Sequence, residues 1–476
     1  MADLECFFRP RSAAVVGVSR QGGFSWGRGV FENLVHTGPK GRVYPVNPQA
    51  GDIGGHRAYP DLESIPDEID LAVLTVPVQL APQALADCVK KGVKGVVMVT
   101  AGYAETDEGK GLQAEVTALA RRTGMRIVGP NVSGIFNVAE GLDASIVNHA
   151  FLRESPVAFI CQGGYAINDL IYRGYHKGMG IGKYYHTGNE ADVTCTDFLD
   201  ILGDDPGVKA ILMYIEGLRD GRRFFEVARR VGRHTPICAL KVGATGDGAR
   251  AASSHTGAIA GSDLVFDAMM RQANIVRSPK MELMLYLGHA FAELPALRGD
   301  RMGVVTMGGS WGVTITDALN RKGLRVPVLS AGLQERLHGM GMPYWASTRN
   351  PVDLGAAGGA MWMGGGAALT QALLESDEVD GVLVHGFGQT GFMGSDPDAG
   401  SDTVHSAEAE MLKQFFALQP TYGKPILVCS YFTEQESPAM ARLIGEGYRI
   451  YHDVEDAATV LSCMCRYHAG LRGSDD

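Results

Sequence analysis

The stretch DLAVLTVPVQLAPQALADCVKKGVKGVVMVTAG, residues 70–102, holds two short apolar runs separated by a helical segment. The runs DLAVLTVP (70–77) and GVVMVTAG (95–102) are rich in Val and Leu, as is typical of parallel strands that are buried on both faces. The segment LAPQALADCVKKG (80–92) between them is the helical part of the unit. This strand–helix–strand unit predicts an α/β fold with a doubly wound sheet.

The same alternation extends to both sides of this unit and restarts twice along the chain. AAVVGVS (13–19) and RIVGPN (126–131) complete the first set of strands. The second and third sets are PVAFICQGG (156–164), AILMYIEG (210–217), PICALKVG (236–243), RMGVVTMGG (301–309), DGVLVHGFG (380–388) and KPILVCSYF (424–432). We therefore predict three α/β domains of similar size, at residues 1–130, 131–297 and 298–476.

Composition narrows the class of protein. The 476 residues are 45% hydrophobic and 20% charged, as in ordinary soluble globular proteins. The formal net charge of −10 argues against nucleic acid as the main partner, because phosphate backbones need basic patches. No apolar run reaches the roughly 18 residues that span a bilayer, and the start MADLECFFRP lacks the apolar core of a signal peptide. We expect a cytoplasmic protein without a membrane or nucleic-acid partner.

The eight cysteines are scattered, which is typical of free thiols in a cytosolic chain. Their one close cluster is Cys463 and Cys465, with His468 nearby, in the helical-looking segment AATVLSCMCRYHAG (457–470). A metal site needs more ligands than this cluster offers. We therefore expect buried helix positions here and no metal site.

Glycines follow the first strand in the segment GVSRQGGFSWGRG (17–29). Such a strand-to-helix turn lets backbone N–H groups approach a phosphate at the start of the helix. The pattern is not G-x-G-x-x-G, and the next strand ends in YPVNP (44–48) rather than in an acidic residue, which disfavours a nicotinamide dinucleotide. An ordinary glycine-rich turn fits this segment equally well.

A second glycine pair lies in VAFICQGGYAINDLIYRG (157–174), again between a buried strand and a helix. The positive end of the helix dipole favours an anion at this turn. Cys161 at the turn has three interpretations: a wall of the anion site, a nucleophile whose thiol pKa the helix lowers, or an inert buried side chain. We favour a phosphate-binding turn with Cys161 as its wall.

The segment LKVGATGDGARAASSHTGAIAGSD (240–263) presents His255 among small residues that lower the cost of moving a loop. A neutral histidine serves as a nucleophile when an acceptor orients its other nitrogen. Glu216, at the end of the strand AILMYIEG, is a plausible acceptor because it lies at the carboxyl edge of the sheet, where α/β sites gather. On the residues alone, a surface histidine on a flexible loop is the simpler interpretation.

The segment SSHTGAIAGSD (253–263) is similar to the phosphohistidine loop of the NDP-forming acyl-CoA synthetases, the family that includes succinyl-CoA synthetase. Further segments resemble this family in the same order over nearly the whole chain: GVSRQGG (17–23), YPVNP (44–48), TAGYAE (100–105), RIVGPN (126–131), GNEADVTCTDFLDIL (188–202), YIEG (214–217), TMGGSWGVTITDALNRKGL (306–324) and NPVDL (350–354). The resemblance implies a Rossmann-like CoA-binding domain followed by two flavodoxin-like, parallel-sheet domains.

The resemblance also implies a mechanism. An acyl-CoA and phosphate give an acyl phosphate and CoA, the acyl phosphate phosphorylates a histidine, and the histidine loop carries the phosphoryl group to an ATP-grasp site that holds ADP or GDP. His255 is then the phosphorylated residue and Glu216 orients it. The implied CoA-binding residues are Gly17, Ser19, Arg20, Asn47, Pro48, Pro77, Thr100, Ala101 and Gly102. The implied phosphate- and acyl-binding residues are Cys161, Gly163, Gly164, Asn131, Asn168 and His186.

No ATP-grasp segment is recognisable in the sequence, so we expect ATP or ADP with Mg²⁺ to bind a β subunit of the ATP-grasp type in a hetero-oligomer. The substrate is expected to be a carboxylic acid. Cys161-Gln162-Gly163-Gly164 stands where the family commonly has Ser-Gln-Ser-Gly, and GPNVSG (129–134) and His186 also depart from its pattern, which suggests an unusual acyl group. The alternatives are an inactive CoA-binding regulatory or scaffold homologue and a thiol hydrolase or acyltransferase that uses Cys161.

Overall fold

The structure is a computed structural model. It describes residues 4–20, 25–39, 42–49, 51–164, 166–248, 250–251, 262–357, 365–389 and 402–472. The chain divides into two compact units, Met1–Tyr175 with Gly180–Met284 and His176–Met179 with Leu285–Asp476. The predicted boundaries near residues 130 and 298 stay predictions.

The first unit begins with a five-stranded parallel sheet. Its strands and the helices that connect them are β1 Ala13–Val16, α1 Trp26–Thr37, β2 Val43–Val46, the small hairpin β3 Asp52–Ile53 and β4 His56–Arg57, β5 Leu71–Leu74, α2 Ala81–Lys91, β6 Gly95–Met98, α3 Lys110–Thr123 and β7 Arg126–Val128. The order β2-β1-β5-β6-β7 reverses direction between β1 and β5. A ligand crevice of an open α/β sheet forms at such a reversal.

A second sheet of seven strands completes the first unit. Its elements are β8 Gly134–Asn137, β9 Leu142–Ser145, β10 Val157–Cys161, α4 Ala166–His176, β11 Lys183–His186, α5 Cys195–Gly203, β12 Ala210–Ile215, α6 Gly221–Val231, β13 Ile237–Lys241, α7 Asp263–Gln272 and β14 Val276–Arg277. The order is β14-β13-β12-β10-β11-β8-β9, with a reversal between β10 and β12. β8 pairs antiparallel with both β9 and β11, and the other pairs are parallel.

The second unit contains a third sheet of five parallel strands in the order β16-β15-β17-β18-β19. The helix α8 Met281–Glu293 begins in the first unit and continues into the second. The further elements of the second unit are β15 Met302–Thr306, α9 Gly309–Arg321, α10 Ala331–Gly339, β16 Val352–Asp353, α11 Gly366–Glu375, β17 Gly381–His385, α12 Asp402–Tyr422, β18 Ile426–Cys429, α13 Pro438–Gly445, β19 Ile450–Tyr451 and α14 Val454–Arg472. The predicted α/β class with repeated parallel sheets is confirmed. The antiparallel hairpin β8–β9 at the edge of the second sheet is an addition that the sequence pattern did not predict.

One hydrophobic core runs through both sheets of the first unit. Phe7, in front of β1, packs edge-on against Phe198 of α5 with ring centroids 6.4 Å apart. Asn33 of α1 donates from Nδ2 to the carbonyl oxygens of Ser145 (2.9 Å) and Val147 (2.6 Å), which ties α1 to the region of β9. These contacts hold the first and second sheets of this unit against each other.

The cysteines are all free thiols in this structure. Cys463 is buried on α14, and Cys465, two residues later on the same helix, is partly buried. Within the described ranges, no three His, Cys, Asp or Glu side chains come together as a potential metal site. None of the described helices combines the length and apolar character that crossing a membrane would require.

Candidate functional site

The crevice of the first sheet is formed by unusually close backbone contacts. Gly17, directly after β1, has a φ of +99°, and a Cβ atom there would lie 2.9 Å from Cγ1 of Val76. A Cβ atom on Gly27, in the first turn of α1, would lie 2.4 Å from Oγ1 of Thr75 and 2.8 Å from the carbonyl oxygen of Gly17. The start of α1 therefore lies directly against the reversal between β1 and β5.

The turns after β1 and β2 are joined by side-chain hydrogen bonds. Asn47 donates from Nδ2 to the carbonyl oxygen of Val18 at 2.7 Å, and its Oδ1 accepts from the backbone N–H of Gln49 at 2.8 Å. Arg20 donates from its guanidinium to the carbonyl oxygen of Gln49 at 2.7 Å. The structure thus places four of the predicted residues in two neighbouring turns: Ser19, Arg20, Asn47 and Pro48.

A cavity of about 500 Å³ connects the carboxyl edges of the first and second sheets. Six predicted site residues line it: Pro77, Thr100, Ala101, Asn131, Gly164 and His186. Its wall also contains residues that the sequence analysis did not assign to a site: Trp26, Thr75, Val76, Val78, Val99, Val132, Ser133, Ile146 and Gln162. The remaining described site candidates are not among the lining residues: Gly17, Ser19, Arg20, Asn47, Pro48, Gly102, Cys161, Gly163, Asn168 and Glu216.

Glu105 links the turn after β6 to the second sheet. Its carboxylate accepts from the backbone N–H of Gly102 and, at 2.5 Å, from Nδ2 of Asn189. Burial raises the pKa of Glu105, but these hydrogen bonds outweigh burial and leave the pKa below its usual value. The backbone N–H of Asn189 in turn donates to the carbonyl oxygen of Pro130 at 3.0 Å. Asn189, in the segment GNEADVTCTDFLDIL (188–202), therefore joins the edges of the first and second sheets.

Asn131 lies at the seam between the two sheets. Its φ of +64° places it in the left-handed region, and its backbone N–H donates to the carbonyl oxygen of Thr100 at 3.0 Å. Thr100 itself donates from Oγ1 to the carbonyl oxygen of Val76 at 2.8 Å. These bonds fix the strand ends that line the cavity.

Cys161 ends β10 and is fully buried. Its thiol donates to the carbonyl oxygen of Gly163 over 2.8 Å, and burial raises the thiol pKa far above its usual value. A Cβ atom on Gly163 would lie 2.5 Å from Cε1 of Tyr214, so a larger side chain does not fit here without movement. A buried, protonated thiol argues against Cys161 as a nucleophile. Because Cys161 is not among the residues that line the cavity, its role as a wall of the anion site stays a prediction beside that of an inert buried side chain.

His186, at the end of β11, is 2% exposed and uses both ring nitrogens. Nδ1 accepts from the backbone N–H of Ser133 at 2.7 Å, so the ring proton is on Nε2. Nε2 lies 3.1 Å from the carbonyl oxygen of Gln162 and donates to it. His186 therefore faces the cavity as a neutral ring whose polar atoms are already occupied.

Gln162 is a buried connecting residue that the sequence analysis did not single out. Its Oε1 accepts from the backbone N–H groups of Glu216 (2.7 Å) and Gly217 (3.1 Å). Its Nε2 donates to Oε1 of Glu190 (2.9 Å) and to the carbonyl oxygen of Gly217 (2.8 Å). The amide thus joins the ends of β10 and β12 at the reversal of the second sheet.

Glu190 is a second buried residue for which the sequence predicted no role in the site. The carboxylate is buried, and besides Gln162 it accepts from Oγ1 of Thr187 and the backbone N–H of Cys195, both at 2.9 Å. Burial raises its pKa, and the hydrogen bonds reduce that rise. Its position in GNEAD, shortly before α5, was a weak signal because exposed acidic residues are common near helix starts.

Comparison with known proteins agrees with this geometry. A family model described as a CoA binding domain matches residues 11–137, and one described as a succinyl-CoA ligase like flavodoxin domain matches residues 154–291. The α subunit of ADP-forming acetate–CoA ligase II from Pyrococcus furiosus is 35% identical over 474 residues, which cover 99% of both chains. The chain belongs to the ADP-forming CoA ligase family.

Two further relatives of this ligase-family chain extend the comparison. The α subunit of ADP-forming acetate–CoA ligase I from Pyrococcus furiosus is 38% identical over 368 residues, 76% of this chain and 79% of that protein. The structure of dinucleotide forming acetyl-coenzyme A synthetase 1 from Ca. Korarchaeum cryptofilum, in complex with phosphate and ADP, is 31% identical with a TM-score of 0.88. It covers 100% of this chain and 99% of that one.

Of the two residues predicted to be catalytic in this ligase-family chain, the structure describes Glu216 but not His255. Glu216 follows β12 and is buried. His255 lies outside the described residues, so its role stays a prediction. Lys241, at the end of the neighbouring β13, is also buried, and its Nζ lies 5.5 Å from the ring centroid of Phe266. Burial lowers the pKa of Lys241.

Proposed function

We propose that the chain is the α subunit of an acid–CoA ligase that works through an acyl phosphate and a phosphohistidine. The overall reaction is acyl-CoA + phosphate + NDP ⇌ carboxylic acid + CoA + NTP. One observation carries the proposal: a single cavity is lined both by strand ends of the CoA-binding sheet, at Thr100 and Ala101, and by the glycine turn of the ligase-like sheet, at Gly164.

CoA binds the first sheet in this proposal. The turns after β1, β2 and β6 lie at one edge of a parallel sheet, and the first two are tied together through Asn47. The first turn of α1, at Gly27, directs its N–H groups and its dipole toward the same edge, which favours a phosphate group of CoA. The thioester end then reaches the cavity beside Thr100 and Ala101.

Inorganic phosphate binds the turn of Gly163 and Gly164, in front of the 11-residue helix α4. A phosphate oxygen attacks the thioester carbonyl, the C–S bond breaks and CoA leaves, so that the acyl phosphate forms in the cavity. The turn contributes backbone N–H groups and the positive end of the helix dipole, which stabilise negative charge without a buried side-chain cation.

His255 then takes the phosphoryl group. A ring nitrogen attacks phosphorus, the bond between phosphorus and the acyl oxygen breaks, and the carboxylate is released. The carboxylate of Glu216 stabilises the positive charge that develops on the ring. The burial of this acid at the end of β12, together with its fixed backbone at Gln162, supports the assignment.

The nucleotide step needs a second subunit in this proposal. An ATP-grasp β subunit binds ADP or ATP with Mg²⁺ and accepts the phosphoryl group from the loop that carries His255. The designation of the Pyrococcus furiosus relatives as α subunits supports such a partner. An obligate pair of this kind buries roughly 2,000 Å² or more.

The test uses the full chain, a panel of acyl-CoA thioesters from acetyl-CoA upwards in size, and labelled phosphate. We expect a protein label that is labile in acid and stable in base, and that is lost in His255→Ala but kept in His234→Ala, a surface control. Label that persists in His255→Ala would remove His255 from the mechanism. Normal CoA binding with no label from any thioester would instead favour the inactive, CoA-binding alternative.

A further inference from the structure

In the turn of residues 161–164, two backbone carbonyl oxygens accept hydrogen bonds from side chains. The carbonyl oxygen of Gln162 accepts from Nε2 of His186 at 3.1 Å, and that of Gly163 accepts from the thiol of Cys161 at 2.8 Å. In a trans peptide the carbonyl and the following N–H point in opposite directions. The N–H groups of Gly163 and Gly164 therefore point away from His186 and Cys161.

These two N–H groups have no hydrogen-bond partner within the part of the chain that the structure describes. Both residues lie within three positions of the first residue of α4, so an anion held by them would also lie near the positive end of that helix. A buried or half-buried N–H without a partner is uncommon and needs an acceptor, such as water or an anion. Gly163 is buried and Gly164 partly buried, with Gly164 in the wall of the cavity.

The ring of His186 is held in one orientation. The backbone N–H of Ser133 donates to Nδ1 at 2.7 Å, and Oγ of Ser133 lies 2.9 Å from the same nitrogen. Because Nδ1 is an acceptor, the single ring proton is on Nε2 and is directed at Gln162. The ring is buried, and it cannot turn without breaking its hydrogen bonds to Ser133 and Gln162.

We infer that His186 is a positioning residue for phosphate binding: it holds the carbonyl oxygen of Gln162 so that the peptide presents the Gly163 N–H, rather than an oxygen, to the anion. The inference rests on the proposed function, since it requires phosphate at this turn. His186 acts through the Gln162 peptide and does not itself touch phosphate. The Cys161 thiol has the same effect on the next peptide through Gly163.

The experiment compares two substitutions of different length in the full chain. In His186→Asn the shorter side chain keeps an acceptor for the backbone N–H of Ser133, but it does not reach the carbonyl oxygen of Gln162. In His186→Gln the amide reaches the position of Nε2 and restores that donor. Binding of inorganic phosphate is measured by ³¹P NMR titration, CoA binding by calorimetry and folding by urea denaturation, with His234→Asn as the surface control.

We expect His186→Asn to weaken phosphate binding about tenfold, while His186→Gln stays within about threefold of the unaltered chain. CoA affinity is expected to change less than about twofold in both variants. Cys161→Ala provides a second, independent measurement: it should also weaken phosphate binding, and Cys161→Ser should restore it.

Three results would overturn the inference. If folded His186→Asn binds phosphate as the unaltered chain does, His186 has no positioning role, although the phosphate site itself stands. If phosphate and CoA binding fall equally in His186→Asn and His186→Gln, the role of His186 is general support of the fold. If the unaltered chain binds CoA but no phosphate, both this inference and the proposed phosphate site are wrong.

Discussion

The side-chain oxygen of Gln162 accepts a hydrogen bond from the backbone N–H of Glu216 over 2.7 Å. This bond connects the ends of β10 and β12, which are neighbours at the point where the strand order of the second sheet reverses. It fixes the backbone of Glu216 beside the glycine turn. The turn and the acidic residue therefore form one rigid group.

Replacing Gln162 by Leu should lower the free energy of unfolding by about 2–4 kcal/mol. The buried backbone groups of Glu216 and Gly217 would lose their bonds to the amide, and Glu190 would lose one of its donors. Urea denaturation of the full chain measures the change. The matched control is Gln83→Leu, since Gln83 is exposed on α2 and donates to Asp87 over 2.9 Å. A loss for Gln162→Leu no larger than that of the control would contradict the prediction.

Gly27→Ala should weaken CoA binding by about tenfold or more, because the new Cβ atom would meet Oγ1 of Thr75 at 2.4 Å and move α1 away from the strand ends. Calorimetry with CoA measures the effect. Gly29→Ala, in the same helix, is the control: a Cβ atom there has no neighbour within 4 Å. It should keep CoA affinity and stabilise the helix by about 1 kcal/mol. Equal affinities of the two variants would argue against CoA at this crevice.

Glu216→Gln should bind CoA normally but slow phosphorylation of His255 by about 100-fold, because the amide keeps the shape and loses the negative charge. Single-turnover labelling with acyl-CoA and labelled phosphate measures the rate. Glu226→Gln, on the exposed face of α6, is the matched control. An unchanged rate in Glu216→Gln would remove Glu216 from the mechanism.

Cys161 should resist alkylation by iodoacetamide at pH 8 in the folded chain, because burial raises its thiol pKa and keeps it protonated. Mass spectrometry of the treated chain locates the modified cysteines, and Cys465, which is less buried, is the internal comparison. Rapid alkylation of Cys161, together with loss of every activity in Cys161→Ser, would support the thiol hydrolase or acyltransferase alternative.

Asp143→Asn should remove a pH dependence of stability. Asp143 on β9 is buried, its Oδ1 accepts from the backbone and hydroxyl of Ser145, and its Oδ2 has no partner among the described residues. Burial raises its pKa from 3.8 to about 7. The folded state favours the protonated acid. Its contribution to the free energy of unfolding is therefore fully present below about pH 4 and is lost as the pH rises through about 7, where the buried acid must lose its proton.

The Asn variant carries no such charge. At pH 8 it should be more stable than the unaltered chain by an amount of the order of a few kcal/mol, and at pH 4 the two should be nearly equal. Urea denaturation at the two pH values measures both differences. If the difference in the free energy of unfolding between the unaltered chain and Asp143→Asn is the same at pH 4 and pH 8, the prediction is wrong.

Much of the candidate site follows from local sequence, but several of its residues do not. The family resemblance implied Pro77, Thr100 and Ala101, which lie at the ends of apolar runs, and all three line the cavity. Gln162 was missed because its partners Gly217, Glu216 and Glu190 lie 55, 54 and 28 positions away in sequence, beyond the reach of any local pattern. The bond between Gln162 and Glu190 was missed for the same reason. Asn168 was predicted, yet it is not among the residues that line the cavity.

The sequence by itself determined the parallel strands, the helices between them and the glycines at the strand ends. The reason is local: a strand buried on both faces must be apolar throughout, and a backbone at φ +99° next to Val76 accepts only glycine. Tertiary structure alone decided that β10 and β12 are neighbours, that β8 pairs with β11, and that His186 carries its proton on Nε2. Those outcomes depend on hydrogen bonds between distant segments, and only the packed arrangement of both sheets brings donor and acceptor together.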